Sequence, residues 1–339
     1  MPEHLALLIG VIAAAIGFGI ANGFNDAANA ISTVIGTRTL SPRAAIIMAA
    51  CFNFLGAATG TAVAVTIGKG IVSPEFLDMN IVFAGTLPII IWALLATRFG
   101  MPISLTHGLV AGLMGAGIAA CGSGAIVWGV LTRVISAVGI APLLGLVAGF
   151  LVMVAIMWLF RKAAPERIRG LFSNLQVLSA AFLAYSHGKN DGQMPIGLIT
   201  MALVASPYYD TSLWAHLSLL DPNTWWIIVV SAASISLGTF IGGRRVIETM
   251  GLKVTTLRPV HGFAANVSAA SVIEIASRFG IPVSTTHCIT TAIMGVGATR
   301  RLSAVRWGIA RNIVLVWILT FPVCGLLGWL IVSLLKIAA

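Results

Sequence analysis

Two aspartates lie inside apolar stretches of the chain, where a charged side chain is costly. Asp26 belongs to residues 23–30, GFNDAANA, and Asp191 belongs to residues 187–194, HGKNDGQM. An ionisable group at the centre of a bilayer costs at least ~2.5 kcal/mol on insertion scales, so it normally faces a cavity, a partner or an ion. Both aspartates are therefore candidate ion-binding residues. Structural pairing with a polar neighbour, or capping of a broken helix, is the alternative.

Amide side chains accompany both aspartates. Asn25 and Asn29 flank the first, and Asn190 and Gln193 flank the second. Each amide offers donors and acceptors to a small ligand. The neighbouring glycines permit the backbone to unwind, and non-helical backbone at membrane depth is tolerated only where protein or a watery cavity satisfies it. Both segments are therefore predicted to line a central cavity, with unwound backbone contributing to it.

Two related segments are typical of helix starts that bind anions. Residues 102–107 read PISLTH and residues 282–287 read PVSTTH. Proline fits the first turn of a helix, and the hydroxyls after it would lie at the positive end of the helix dipole. Two such starts that meet from opposite leaflets would bind a tetrahedral oxyanion without Arg or Lys. The candidate ligands are Ser104, Thr106, Ser284, Thr285 and Thr286, and ordinary helix starts are the alternative.

Three more polar residues have open roles. His107 and His287 follow the two hydroxyl clusters, where they would donate to an anion, relay a proton or hold the helix start in place. Lys189 lies two residues before Asp191, where it would neutralise the carboxylate or extend to an interface.

The composition indicates an all-α polytopic membrane protein. Of the 339 residues, 58% are apolar and 9% are charged, whereas a soluble domain has about 25% charged residues. Apolar runs of the roughly 20 residues that cross a bilayer recur along the whole chain. The net charge of +10 comes from basic clusters between these runs. Such clusters indicate orientation signals and contacts with membrane lipids rather than a nucleic-acid partner. The predicted spans are 5–35, 44–67, 81–97, 102–119, 127–160, 171–205, 225–241, 259–277, 282–298 and 307–335.

An internal repeat divides these spans into two sets of five. Residues 98–117 and 278–297 are identical at ten of twenty positions. We predict a first transmembrane repeat over 1–160, a cytoplasmic connector over 161–170 and a second repeat over 171–339. Because each half makes an odd number of crossings, the second half would enter from the opposite side and give inverted topology. Ten to twelve helices are expected, counting broken helices and hairpins.

Sequence signatures of enzymes are missing from the chain. It has no HExxH motif, no GxSxG elbow and no Gly-rich nucleotide loop. The four cysteines lack the spacing of a metal or redox pair. We therefore expect no enzymatic activity, no cofactor and no bound structural metal.

Several of these motifs resemble the duplicated signatures of the inorganic phosphate transporter (PiT) family, in its bacterial low-affinity branch: GFNDAANA, SHGKNDGQ, GRRVIETMG and PVSTTH. The resemblance implies a secondary transporter of the cell (plasma or inner) membrane, a homodimer that moves phosphate with protons or sodium. It also implies that Asp26, Asp191 and the adjacent asparagines shape the substrate and cation site, and that the serines and threonines of the helix starts contact phosphate.

Three positions depart from the family pattern. Asn53 and Asn266 stand where sodium-coupled animal members usually have Glu, which removes two hard ligands for sodium. The resemblance therefore favours proton coupling over sodium coupling, with neutral metal phosphate as another form of the substrate. Lys189 stands where the family commonly has a small residue.

Two other functions remain open from the sequence. A permease for sulfate or another tetrahedral oxyanion would use similar helix starts, but sulfate lacks the protons that phosphate offers to an Asp acceptor. A receptor or a membrane anchor of a larger complex is a different class, and the chain has no sizeable soluble domain for signalling or docking.

Overall fold

The computed structural model describes residues 2–338 and is built from α-helices. Over these residues it contains no β-strand, apart from one isolated bridge between Val72 and Ile126. The prediction of an all-α protein is confirmed. The first half contains α1 (Pro2–Gly36), α2 (Pro42–Ala57), α3 (Ala62–Gly70), α4 (Met79–Arg98), α5 (Leu105–Cys121) and α6 (Trp128–Leu159). The second half contains α7 (Pro165–Asp191), α8 (Gln193–Val204), α9 (Trp225–Ile241), α10 (Arg244–Glu248), α11 (Pro259–Arg278), α12 (Thr285–Ala298) and α13 (Trp307–Ala338).

The helices differ in how well they suit a membrane crossing. Four of them, α1, α4, α6 and α13, are long and apolar enough to cross, and six spans result if each of two bent pairs counts as one. The bends are 67° between α2 and α3 and 68° between α9 and the segment that starts with α10. Helices α5 and α12 have 17 and 14 residues, fewer than the roughly 20 that a simple span needs. The predicted crossings thus include short and broken helices.

The two halves pack through reciprocal contacts. Helices α1, α2, α7 and α9 form a central group in which α1 packs on α9 and α7 packs on α2. On one flank α13 packs on the α4–α5 hairpin, and on the other α6 packs on the α11–α12 hairpin. Each half therefore supplies the partner helices of the other. Insertion of the two halves from opposite sides of the membrane stays a prediction.

Two glycines permit the close packing at the centre. A Cβ atom on Gly23 would collide with the carbonyl of Ile235, and one on Gly188 would collide with the carbonyl of Asn53. The first contact joins α1 to α9, and the second joins α7 to α2. These glycines match at the offset of 165 residues that also relates the two aspartates. Glycine is used here for close helix approach.

The expected unwinding around Asp26 is wrong, because α1 is continuous from Pro2 to Gly36. The backbone N–H and C=O groups around Asp26 are hydrogen-bonded within α1, so α1 contributes polar atoms to the centre through its side chains. In the second half the helix is interrupted only at Gly192, which separates α7 from α8 and keeps right-handed helical angles of φ −67° and ψ −16°.

Other helices start at residues different from those of the predicted spans. Helix α7 begins at Pro165, so residues 165–170 of the predicted connector form its first turns. Pro102 and Pro282 lie before the helices rather than in their first turns. Ser104 and Ser284 are the N-caps instead, because their hydroxyls accept the N–H groups of the histidines three residues later, at 3.3 and 3.2 Å.

Candidate functional site

A polar stripe runs along the inner face of α1. Asn22, Asp26, Asn29 and Thr33 are spaced by three or four residues, so they share one side of the helix. Each of these side chains is at most 2% exposed. Buried polar groups need partners, and the stripe finds them on α7, α11 and α12.

Asp26 binds the first turn of α12. Its Oδ2 accepts a hydrogen bond from the Thr285 hydroxyl at 3.2 Å, and its Oδ1 accepts one from the Thr286 hydroxyl at 2.9 Å. The amide of Asn29 donates to the same two hydroxyl oxygens, at 3.2 and 2.9 Å. Two hydroxyls at the positive end of a helix thus point at one anionic group, which is the arrangement expected for an oxyanion site.

Asp191 lies beside Asp26 with a histidine between them. Its Oδ2 accepts a hydrogen bond from Asn22 at 3.2 Å, and its Oδ1 accepts one from Asn190. The Nε2 atom of His187 lies 3.8 Å from Asp26 Oδ2 and 3.7 Å from Asp191 Oδ2. Ligand atoms of the three residues all lie within 4.8 Å of one another. The cluster has room for a proton or one small cation between its acceptor atoms.

His187 is the principal site residue that the sequence analysis missed. The signal was present, since it opens the HGKNDGQM segment and lies four residues before Asp191 on the same helix face. At the offset of 165 residues it matches Asn22, which contacts Asp191 from the other half.

The two helix starts meet beside this cluster. The Thr106 hydroxyl of α5 donates to the Val283 carbonyl at 3.3 Å, just before α12 begins. Asn190 donates to the same carbonyl at 2.7 Å and accepts from the Val283 N–H at 3.3 Å. Ser104 and Ser284 accept backbone N–H groups as caps, which leaves each hydroxyl proton free to donate. All five hydroxyl residues therefore lie at the meeting point of the hairpins, and Thr285 and Thr286 are the ones bonded to Asp26.

Four of the predicted residues have contacts that hold helices together or orient other side chains. Asn25 donates to Thr97 on α4 at 2.6 Å. Asn266 accepts from Thr33 at 3.0 Å and donates to Ser179 at 3.3 Å, which ties α11 to α1 and α7. The side chain of Gln193 caps α3 by accepting the Val63 N–H at 2.8 Å. Asn53 bonds the Nδ1 atom of His187 at 2.9 Å.

His107 and His287 lie away from the aspartates. Their ring centroids are 4.8 Å apart, and His287 stacks on Trp317 at 3.8 Å. Both line an apolar cavity of about 620 Å³ between α6 and α13. Their placement behind the helix starts fits the role of holding those starts in position better than direct contact with the Asp26 cluster.

Lys189 forms an ion pair with Glu274 rather than with Asp191. Its Nζ lies 2.5 Å from Glu274 Oε1, and Arg278 contacts the same oxygen at 3.0 Å. The Lys189 and Glu274 side chains are 15% and 11% exposed. Lys189 thus joins α7 to α11 and leaves Asp191 without a neutralising lysine.

The centre of the site is closed to solvent on both sides. Asp26 is 2% exposed, Asp191 is 1% exposed and His187 is 0% exposed. An all-helical fold with long apolar helices and an enclosed polar centre is typical of an integral membrane protein. The chain belongs to the phosphate transporter family, whose model matches residues 22–328. The expectation that the chain is not an enzyme is confirmed by this membership.

Individual relatives agree with the family assignment. A protein of Rhizobium meliloti (strain 1021) named "Probable low-affinity inorganic phosphate transporter" is 40% identical over 323 residues, which cover 95% of this chain and 94% of the relative. A protein of the same name from Bacillus subtilis (strain 168) is 38% identical over 330 residues, 97% of each chain. A solved structure titled "The sodium-dependent phosphate transporter" superposes with a TM-score of 0.88 at 26% identity, covering 98% of this chain and 100% of the other.

Proposed function

We propose that this protein is a secondary active symporter that carries inorganic phosphate together with a cation, and that the cation is a proton rather than sodium. It works as a homodimer in the cell membrane. The observation that carries the proposal is the pair of Thr285 and Thr286 hydroxyls directed at the Asp26 carboxylate at the start of α12. An anionic group already occupies these donors, and phosphate presents the same acceptor chemistry.

Phosphate binding in this proposal uses the two helix starts. The first N–H groups of α5 and α12 have no partner within their helices, and both helix dipoles favour a negative charge there. Phosphate oxygens accept from these N–H groups and from the threonine hydroxyls, in exchange for the Asp26 carboxylate. A protonated phosphate oxygen can in turn donate to Asp26, which a sulfate ion cannot do. The chemistry therefore favours phosphate over sulfate.

The enclosed carboxylates account for the need for a cation. Asp26 and Asp191 lie close together in a closed centre, and Lys189 is paired elsewhere with Glu274. Adding an anion to two buried carboxylates without a positive charge is strongly unfavourable. Asn53 and Asn266 bring only neutral amides to their surroundings, which supports a proton over sodium. Neutral metal phosphate is a further form in which the substrate could enter, because the metal offsets the charge of the anion.

Proteoliposome transport separates these possibilities. Labelled phosphate uptake is measured with an inward proton gradient alone, with an inward sodium gradient alone, and with excess sulfate as competitor. We expect uptake with the proton gradient and little competition by sulfate. Uptake only with sodium would refute the proton assignment, and no uptake with either gradient would refute symport. Titrating Mg²⁺ at fixed phosphate tests the metal-phosphate form.

A matched pair of variants tests the anion site. Thr286→Val removes the hydroxyl that donates to Asp26, whereas Thr299→Val makes the same change at the far end of α12, where the hydroxyl donates to Val296. We expect the first variant to raise the phosphate KM by about tenfold or more, since a hydrogen bond to a charged group contributes about 1.5–3 kcal/mol. The second variant should leave the KM near that of the wild type. Equal effects would contradict the assignment of this helix start.

A further inference from the structure

A chain of hydrogen bonds determines which nitrogen of His187 carries the proton. The Thr239 hydroxyl donates its single hydrogen to the Ile235 carbonyl at 2.9 Å. It must therefore accept in its contact with Asn53, so the nitrogen Nδ2 of Asn53 faces Thr239, at 2.8 Å. The oxygen Oδ1 of Asn53 then faces His187 Nδ1 at 2.9 Å. Because an amide oxygen only accepts, Nδ1 carries the hydrogen of the neutral ring.

This tautomer leaves the lone pair of Nε2 directed at two carboxylates. Nε2 lies 3.8 Å from Asp26 Oδ2 and 3.7 Å from Asp191 Oδ2. The nitrogen is buried and has no hydrogen-bond partner among the described residues. Each of the two carboxylate oxygens accepts one hydrogen bond from elsewhere, but no donor lies between the three acceptor atoms, which is unfavourable in a closed centre. One proton on Nε2 converts this cluster into an imidazolium between two carboxylates, with charge-assisted hydrogen bonds.

The other groups around His187 do not supply this proton. Among the residues that the structure describes, the carboxylates within 4 Å of its Nε2 are Asp26 from α1 and Asp191 from its own helix. Helices α2 and α9 contribute neutral Asn53 and Thr239, and α12 contributes neutral hydroxyls. Lys189, on the same helix, is paired with Glu274.

We propose that Nε2 of His187 is the acceptor of the co-transported proton, and that Asn53 and Thr239 are positioning residues that keep it available. The proposal rests on the proposed function. One proton from the aqueous side adds to the Nε2 lone pair and leaves from the same atom on the other side. No other bond is made or broken. The cluster passes from two negative charges to one, which permits an anion to enter.

Protonation would also free the donors that phosphate needs. Asp26 Oδ2 accepts from Thr285 and is the carboxylate oxygen that faces Nε2. An imidazolium attracts this oxygen, so the hydroxyls of α12 become available to the substrate. Only the second half has a side chain that can take up a proton at this position. The matching residue of the first half is Asn22, whose amide does not take up a proton. One proton per transport cycle is therefore taken at this site.

Transport by His187→Gln tests the proposal. Glutamine keeps a donor and an acceptor but cannot become a cation. We expect accumulation driven by a proton gradient to be lost, and exchange of labelled for unlabelled phosphate to fall at least about tenfold and to lose its dependence on pH, because the anion then meets two unneutralised carboxylates. The matched control is His216→Gln, which changes an exposed loop histidine 3.5 Å from Asp221 and should behave as the wild type.

The outcomes distinguish the two proposals. If wild-type uptake does not respond to the proton gradient, the proposed proton symport fails. If the wild type is proton-coupled and His187→Gln keeps the same number of protons per phosphate, the proton acceptor lies elsewhere and the inference is overturned.

Nitrogen NMR gives a readout that does not depend on transport. In protein labelled with ¹⁵N histidine, the signal that disappears in His187→Gln belongs to His187. We expect a neutral ring with hydrogen on Nδ1 at mildly alkaline pH and a doubly protonated ring after acidification. Thr239→Val should disturb this tautomer and Thr239→Ser should restore it. A wild-type ring with hydrogen on Nε2 would overturn the inference.

Discussion

Replacing Asp26 by asparagine should abolish transport and make the protein more stable. The change keeps the shape of the side chain and removes one of two carboxylate charges. One oxygen of Asp26 and one oxygen of Asp191 lie within 4.8 Å of each other. With an effective dielectric constant of about 20, two unit charges at that separation repel by about 3.5 kcal/mol. The two hydrogen bonds from Thr285 and Thr286 then go to a neutral acceptor, which costs about 1 kcal/mol each. The net gain is about 1.5 kcal/mol, roughly tenfold in the unfolding equilibrium.

The gain should depend on pH. Removing one carboxylate relieves the full repulsion only where both carboxylates of the wild type are charged, so the gain is largest at alkaline pH. As the pH falls, protons relieve the same repulsion in the wild type, and the difference between the two proteins shrinks.

Melting temperatures from tryptophan fluorescence in detergent, at several pH values, measure this difference. Asp210→Asn is the control. Hydrogen bonds from Ser212 lower the pKa of Asp210 in the folded protein below its usual value. The charged Asp210 therefore contributes its full stabilisation at any pH above the usual pKa. That stabilisation is lost only as the pH falls through the lowered pKa of the folded protein. Its effect should thus be constant from mildly acidic to alkaline pH. An Asp26→Asn variant that transports phosphate, or that melts no higher than the wild type at alkaline pH, would refute the reasoning.

Three other predictions concern topology and packing. Ser123 and Ser303 lie at matching positions of the repeat. A membrane-impermeant maleimide should therefore label the Ser123→Cys variant from outside and the Ser303→Cys variant from inside. Labelling of both variants from the same side would contradict inverted topology. Gly188→Ala should lower the stability by about 1–3 kcal/mol, because its Cβ meets the Asn53 backbone, whereas Gly10→Ala has no atom within 4 Å and should not destabilise the fold; equal melting temperatures would contradict the close packing. A double-mutant cycle of Lys189→Met and Glu274→Gln should give a coupling energy of about 1–2 kcal/mol, more than a surface pair because both side chains are mostly buried; additive effects would show that the pair contributes nothing.

The sequence was sufficient to predict the helical class and the two aspartates that meet at the centre. Asp26 and Asp191 were identifiable because a carboxylate within an apolar stretch is rare and costly. The repeated PxSxT segments predicted two helix starts, and the structure brings them together through Thr106 and Val283. Local pattern was enough here because the motifs are short and occur twice.

Roles that depend on contacts between distant residues were not predictable. Gln193 lies two residues from Asp191, yet its side chain caps α3, which begins about 130 residues earlier in the chain. Lys189 is adjacent to Asn190, but its partner Glu274 is 85 residues away. His187 gains its importance from Asn53 and Thr239, on two helices that a single sequence does not place beside α7. Residues that are adjacent in sequence point to different sides of a helix. Closeness to Asp191 along the chain was therefore not enough to predict what these side chains contact.

The reciprocal contacts of α6 and α13 have a mechanical consequence. Helix α13 is held to the α4–α5 hairpin, and α6 is held to the α11–α12 hairpin. If the transporter exposes its centre to each side in turn, the rigid bodies that rock against each other are therefore not the N-terminal and C-terminal halves. Each rigid body contains a helical hairpin from one half of the chain and a long helix from the other half. A change in the tilt of one half therefore also moves the long helix of the other half.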